Sequence, residues 1–448
     1  MAPAFSDRPV DGIPAEFLAA VGFVGGVGQV VQIPGSVLYG LGVVGDLDAD
    51  AVRRAAGELA RSVRGHRHLA ITVPDGYSRP FVEGFVLGGH RFTRYQSDPD
   101  IAGVDRVDLI TSDDPAHLRA ALVVAEAVVL ARDLVAEPGD VLTPIAFADR
   151  AVEVASAAGL ECEVWDEKRI ATERLGGLLG VARGSRNPPR LVHLRYLPGS
   201  GAPTALVGKG VTFDAGGLSL KPTPQMIDMK ADMAGAATVL GVMSALSALG
   251  CPRPVDAWLP LTENMPTADP IRIGDILRIR NGTTVEIRNA DAEGRLILAD
   301  ALVLAAETHP TAIIDVATLT DAAAIALGRQ ITPVITNDPP LSDVLLAAAT
   351  RAGEPFWPLP LPARYRALLA STTADLVNYT TGLRHGTALL AALFLNHFVP
   401  PTTPWAHLDI QGTALADHPY AEHPAGPTGV AVRALLEYLV AAPVAPSV

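Results

Sequence analysis

The chain has 448 residues, of which 49% are hydrophobic and 19% charged, with a formal net charge of -13. That balance excludes a disordered chain, and the acidity argues against non-specific binding to nucleic acid or to an anionic membrane. Two cysteines, Cys162 and Cys251, are too few for a disulfide framework or a cysteine metal site, as expected of a protein of the reducing cytoplasm.

The length leaves room for two or three domains. The segment Met1–Arg8 carries Asp7 and Arg8 and leads into no apolar core of the signal type. Val30, Val31 and Ile33 form a short strand-like run, and Leu69, Ile71 and Val73 form another. Between them Val52, Ala55, Ala56, Leu59, Ala60 and Val63 recur at helical spacing. A further strand is expected at Val107–Ile110, so the pattern is βα and the sheet mainly parallel or mixed. Asp114 followed by Pro115 supplies an N-cap and a first-turn proline, and Leu118, Ala121, Leu122, Ala125 and Val129 continue one apolar face. This helix, near 115–136, is expected to stop at Glu137-Pro138-Gly139. The break separates a smaller α/β domain, residues 1–136, from a larger one, residues 137–448.

In the larger domain strands are expected at 204–208, 256–261, 312–317 and 405–410, and apolar helices after Asp232 and Glu293. The uncharged stretch Met233–Cys251 approaches the length of a membrane span. Its alanines and glycines, with Thr238, Ser244 and Ser247, read instead as a buried helix of an α/β domain.

Charged residues cluster in two segments, VGKGVTFDAGGLSLKPTPQMIDMKADMAGAA (207–237) and NADAEGRLILADAL (289–302). The first holds Lys209, Asp214, Lys221 and Asp232; the second holds Asp291, Glu293 and Arg295. Taken singly, Asp232 and Asp291 read as helix N-caps and the others as surface charges. Together, four carboxylates and three cations lie among glycines at strand ends and ahead of apolar helices. Carboxylates buried in that setting need compensating cations. Divalent metals are the simplest source, and oxygen ligands suit Zn, Mn, Mg or Co. The glycines do not form a Walker pattern, and there is no HExxH. His385 and His407 are read as satisfied structural groups or as groups that sit behind the ligands.

These two segments resemble the signature stretches of the leucine aminopeptidase (cytosol aminopeptidase) family. EGFVLGGHRF (83–92), RDLVAEPGDVLTP (132–144), ENMP (263–266), DVATLTDA (315–322) and WAHLDIQGTA (405–414) resemble family stretches as well. The resemblance covers the chain from Arg132 onward and is slight before about residue 80. It implies a macro-domain-like N-terminal α/β domain and a larger α/β metallopeptidase domain with a central mixed sheet. It also implies a cytoplasmic homohexamer that removes the first residue from peptides with a free N-terminus. The site would hold two divalent ions, Mn or Zn, with Mg or Co as alternatives. Lys209, Asp214, Asp232 and Glu293 would hold one ion; Asp214, Asp291 and Glu293 would hold the other, helped by the Asp291 carbonyl. Lys221 would contact the substrate carbonyl, and Arg295 would hold a bicarbonate.

The physical chemistry is consistent with those roles. A lysine ligates a metal only as the neutral amine, which burial beside two dications favours. Two ions about 3.5–4 Å apart lower the pKa of a shared water toward neutrality. Four carboxylates balance two divalent ions, leaving Lys221 and Arg295 for an oxyanion and a bound anion. No carboxylate in the set is left over as a base, and arginine cannot accept a proton, so a bicarbonate at Arg295 would fill that role.

The resemblance places Met229, Thr318, Asp321, Gln411 and Ala414 around the first side chain of the substrate. Two of these depart from the family: Asp321 stands where the family has Gly, and Gln411 where it has Ala. The leucine preference is therefore open. A specialised dipeptidase or amidase on the same site is one rival reading. A non-catalytic regulatory or DNA-binding protein of the same fold is the other; it is opposed by the acidity and by retention of Lys221 and Arg295.

Overall fold

The computed structural model describes residues 1–97, 104–267, 269–383 and 385–441. The chain divides into two compact units, one comprising Met1–Val129 and Ala416–Thr428, the other Leu130–Leu415 and the chain from Gly429. The second is the larger, and both mix helix and strand.

In the first unit the expected strands are Val30–Ile33, His68–Thr72 and Arg106–Ile110. Ala2–Ala4 and Ser36–Gly40 join Val30–Ile33 in a three-stranded sheet, and His68–Thr72 pairs in parallel with Arg106–Ile110. The helix read from Val52 to Val63 runs Ala49–Ser62. Asp48 caps it by accepting a hydrogen bond from the Ala51 N–H. Its predicted apolar face, Val52, Ala55, Ala56 and Leu59, is buried with Ile71 and Phe81.

The second unit is built on a nine-stranded mixed sheet. Thr204–Gly208 lies between Ala312–Ala317 and Val255–Asn264 and is parallel to both. Trp405–Asp409 continues the parallel set beside Ala312–Ala317. Antiparallel strands then follow, Thr332–Thr336 on one side and Arg190–Tyr196 on the other. Phe356–Leu359 and Glu161–Trp165 end the sheet. The central strands are buried along their whole length, as strands covered on both faces must be.

The strand expected at 256–261 continues to Asn264. Its last three residues, Thr262, Glu263 and Asn264, are polar, and for that reason look like loop, yet all are buried. Glu263 accepts hydrogen bonds from Ser185 Oγ at 2.5 Å and Asn187 Nδ2 at 2.9 Å, which satisfies it away from water. Gly210–Asp214 is a further strand that hydrophobic patterning did not single out. It pairs in parallel with the end of Val255–Asn264, placing Asn264 opposite Asp214.

The two apolar helices run Ala234–Ala245 and Gly294–Glu307 and pack against Thr204–Gly208. Leu296, Ile297, Leu298 and Leu302 are fully buried, each contributing about 1.5–3 kcal/mol. The stretch after Met233 is thus a core helix, and no helix among the described residues is long and apolar enough to cross a membrane.

Candidate active site

All seven charged residues of the two segments converge at one end of the central strands. Thr204–Gly208 ends immediately before Lys209, and Gly210–Asp214 ends on Asp214. Asp232 follows the short 3-10 turn Met229–Ala231, and Glu293 directly precedes the helix Gly294–Glu307. Lys209, Asp214, Asp232, Glu293 and Arg295 are each no more than 5% exposed.

The N-cap readings of Asp232 and Asp291 are corrected. The residues at the two helix starts are Met233 and Glu293, and neither makes a side-chain cap bond. Asp232 instead uses Oδ1 to accept from Lys209 Nζ at 2.7 Å and from Thr318 Oγ1 at 2.8 Å. Asp291 sits in a turn closed by its own N–H donating to Asn289 Oδ1 at 2.8 Å, and its carboxylate pairs with Lys221. A cationic neighbour outweighs the cap as a partner for a half-buried carboxylate.

Three glycines make the convergence possible. Gly216 and Gly217 have φ of +87° and +57°, turning the chain back under Asp214. A Cβ on Gly294 would lie 2.4 Å from Cε of Lys209, so a side chain there would displace the lysine from its place at the helix start.

Lys209 Nζ also donates to the Thr318 carbonyl at 2.7 Å and lies 3.0 Å from Glu293 Oε1. Lys221 Nζ lies 2.9 Å from Asp214 Oδ2. Burial acts to lower both lysine pKa values, but Asp232 and Glu293 on one, and Asp214 and Glu293 on the other, reverse it and hold both above the usual range. The carboxylates show the opposite strain. Burial, then repulsion from Asp214 and Glu293, pushes Asp291 up to about 7. Burial likewise raises Asp214, and raises Asp232 well above the ordinary carboxylate range. Glu293 is lowered, because Lys209 and Lys221 together overcome its burial.

This donor set fits divalent cations. Oxygens of Asp214, Asp291 and Glu293 lie within 4.8 Å of one another. The second oxygen of Asp232 is buried without a hydrogen-bond partner. Four carboxylates against Lys209, Lys221 and Arg295 leave a net negative charge in a largely buried site, which hard or borderline dications neutralise. Arg295 is lowered to about 10 by burial and so stays cationic at neutral pH. It donates from Nη1 to the Asn378 carbonyl at 2.9 Å, while Nε is buried with no partner. That is the chemistry of an anion site.

A cavity of about 570 Å³ opens over this constellation. Its lining includes Asp214, Lys221, Asp232, Asp291 and Arg295, and also Met229, Thr318, Asp321, Gln411 and Ala414. Asp321 begins the short helix Asp321–Leu327, which Thr320 caps. His407 is buried, with Nδ1 2.5 Å from Asp315 Oδ1. His385 is exposed.

Two asparagines at the site escaped sequence reasoning. Asn264 Nδ2 donates to Asp214 Oδ1 at 2.8 Å and the Ala290 carbonyl at 3.0 Å, with Glu293 Oε2 at 3.4 Å. An asparagine ending a buried strand is disfavoured by propensity, and that was the available signal. Asn378 donates to the Asn289 carbonyl at 2.7 Å and accepts from the Arg288 N–H at 2.8 Å, holding the loop that carries Asp291. Nothing in the surrounding sequence marks it.

The model of the cytosol aminopeptidase family, catalytic domain, matches residues 129–436, and that of the family's N-terminal domain matches residues 5–99, most of which lie before residue 80, where the resemblance read from sequence is slight. The chain is 45% identical to a probable cytosol aminopeptidase of Leifsonia xyli subsp. xyli, over 95% of this chain and 90% of that protein. It is 44% identical to a probable cytosol aminopeptidase of Nocardia farcinica, over 97% and 90% respectively. Among solved structures it is similar to the bottromycin maturation enzyme BotP in complex with Mn, with a TM-score of 0.91, 44% identity and 98% of each chain covered. Lysines and carboxylates meeting at the strand ends, and these matches over nearly the whole chain, lead to one assignment: the chain belongs to the cytosol aminopeptidase family.

Proposed function

We propose that the chain is a two-metal aminopeptidase that removes the first residue from peptides with a free N-terminus. The observation that carries this is the lysine-bound carboxylate cluster, in which Asp214, Asp291 and Glu293 share one small volume beside the unpartnered Asp232 oxygen. Lys209, Asp214, Asp232 and Glu293 would hold one divalent ion and Asp214, Asp291 and Glu293 the other. Manganese or zinc is the first choice, with Mg or Co as alternatives. Ions so held supply Lewis acidity and a hydroxide nucleophile near neutral pH.

The chain's own residues do the rest. Lys209 ligates only as the free amine, so it gives up a proton when an ion binds, and metal affinity rises with pH. Lys221 stays charged and places its ammonium at the mouth of the cluster, where the carbonyl oxygen of a peptide gathers negative charge. Arg295, fixed by the Asn378 carbonyl, keeps an N–H free for an anion. Bicarbonate fits that position and would take up the proton that no carboxylate of the set can accept. Asp321 and Gln411 would add polarity to the wall facing the first side chain. That favours polar or cationic first residues relative to a leucine-selective enzyme.

Residues 1–136 and 137–448 serve as the N-terminal and catalytic domains of this reading. The cytoplasmic location and homohexamer implied by the family belong to it too. The experiment is a screen of aminoacyl amides with chelated protein, adding Mn, Zn, Co and Mg in turn. Activity that needs no metal, or no cleavage of any free-amine substrate, overturns the reading.

A further inference from the structure

We propose that Asn264 is a positioning residue that holds the two shared carboxylates, Asp214 and Glu293, at the separation a pair of divalent ions needs. The inference rests on the two-metal reading. Asn264 is 1% exposed and ends the strand Val255–Asn264, directly across from Asp214 in the parallel pairing. Its single amide group faces three acceptors: Asp214 Oδ1 at 2.8 Å, the Ala290 carbonyl at 3.0 Å and Glu293 Oε2 at 3.4 Å. Because all three accept, the amide orientation is fixed by chemistry: the oxygen cannot occupy that side.

Those acceptors belong to two separate stretches of chain, the strand end at Asp214 and the 290–293 segment. Asp214 ends one strand, Glu293 precedes a helix, and Ala290 adjoins Asp291 in the loop between them. One side chain therefore ties together every segment that supplies the Asp214–Asp291–Glu293 cluster. The backbone of Asn264 adds a fourth tie, its carbonyl accepting from the Ala215 N–H at 2.9 Å. A Cβ on Gly217 would lie 2.7 Å from Asn264 Oδ1, so a larger residue in that turn would crowd the amide.

The amide carries no charge. A lysine or arginine at this point would neutralise the carboxylates and compete with the ions. An amide N–H orients a carboxylate oxygen without cancelling its charge, leaving the remaining lone pairs for metal. Groups of this kind, one bond behind the ligands, typically alter metal affinity by about 10–100-fold. The Lys221 pairing does not substitute, because its ammonium lies 2.9 Å from the other Asp214 oxygen, Oδ2, and forms no pair with Glu293 among the described residues.

The test is manganese binding to the full chain by isothermal titration, with chelated protein as the start. Wild type is compared with Asn264→Leu, which keeps the volume and loses the donor, and Asn264→Ser, which keeps a shorter donor. Thermal denaturation of the chelated proteins reports folding separately. Leu is expected to weaken manganese binding about 10–100-fold, with kcat falling more than KM, and Ser is expected to recover part of the loss. If the Leu variant does not fold, the same ordering is read between wild type and Ser, and an unaltered Ser variant overturns the proposal. Folded Leu protein that binds two ions with wild-type affinity also overturns it. Wild type that binds no manganese instead overturns the two-metal reading, so the two failures are distinct.

Discussion

The floor of the cavity and its wall are built differently. The floor is Lys209, Asp214, Asp232 and Glu293, all nearly inaccessible and each held by at least one charged or backbone partner. The wall includes Asp321, at the exposed start of a seven-residue helix, and Ile325, which is 85% exposed. A buried charge that loses its partner costs about 3–5 kcal/mol, so the floor tolerates little change. An exposed wall residue changes at small cost. The contrast teaches that the chemistry is fixed by packing, while selectivity is free to vary on the same scaffold.

The largest effect expected is at the floor. Glu293→Ala and Asp214→Ala should each abolish measurable aminopeptidase activity and leave fewer than two ions per chain by metal analysis. Asp291→Ala, at the more open edge of the cluster, should lose mainly one. Two ions retained in Glu293→Ala would break the comparison at its base.

Lys221→Ala comes next, because Lys221 lies between floor and mouth. Turnover should fall by roughly a hundredfold or more, the scale of one lost oxyanion donor, with metal content unchanged. Arg295→Ala should lower turnover and remove any stimulation by added bicarbonate; stimulation that persists would place the anion elsewhere.

At the wall, Asp321→Gly should alter selectivity and leave metal content intact. The ratio of kcat/KM for arginyl or lysyl over leucyl substrates should fall about tenfold to a hundredfold, since the carboxylate no longer rewards a cation or penalises leucine. An unchanged ratio would mean that Asp321 takes no part in selection.

The smallest effect on catalysis is expected at Asp300, inside the helix that carries Arg295. Burial pushes its carboxyl up to about 7, against backbone N–H donors from Leu178, Arg280 and Gly177. The folded state therefore binds a proton that the unfolded state releases. This stabilisation is present in full below about pH 4, the usual aspartate range, and is lost as pH rises through about 7. Asp300→Asn should flatten that part of the stability profile, measured as melting temperature against pH, with little change in turnover at neutral pH. A profile identical to wild type would show that Asp300 is ionised throughout.

Much of this was legible in the sequence. Apolar periodicity located the central strands and both apolar helices, because a residue's face depends only on its spacing and the core selects on it. The two charged segments announced themselves, since four carboxylates among glycines beside apolar helices have few other uses. Family likeness then supplied an order of roles that patterning could not.

Other features needed the fold. Val255–Asn264 ends in three polar residues, and their burial depends on partners such as Ser185 and Asn187 that lie far along the chain. Asp232 and Asp291 look like N-caps locally; only the arrival of Lys209 and Lys221 redirects them. Asn264 and Asn378 act through contacts 26 to 90 residues away, mostly to backbone. Sequence determined which groups the site contains, because composition and spacing are local properties. Tertiary structure decided which partner each group takes, because hydrogen bonds and ion pairs depend on proximity in space.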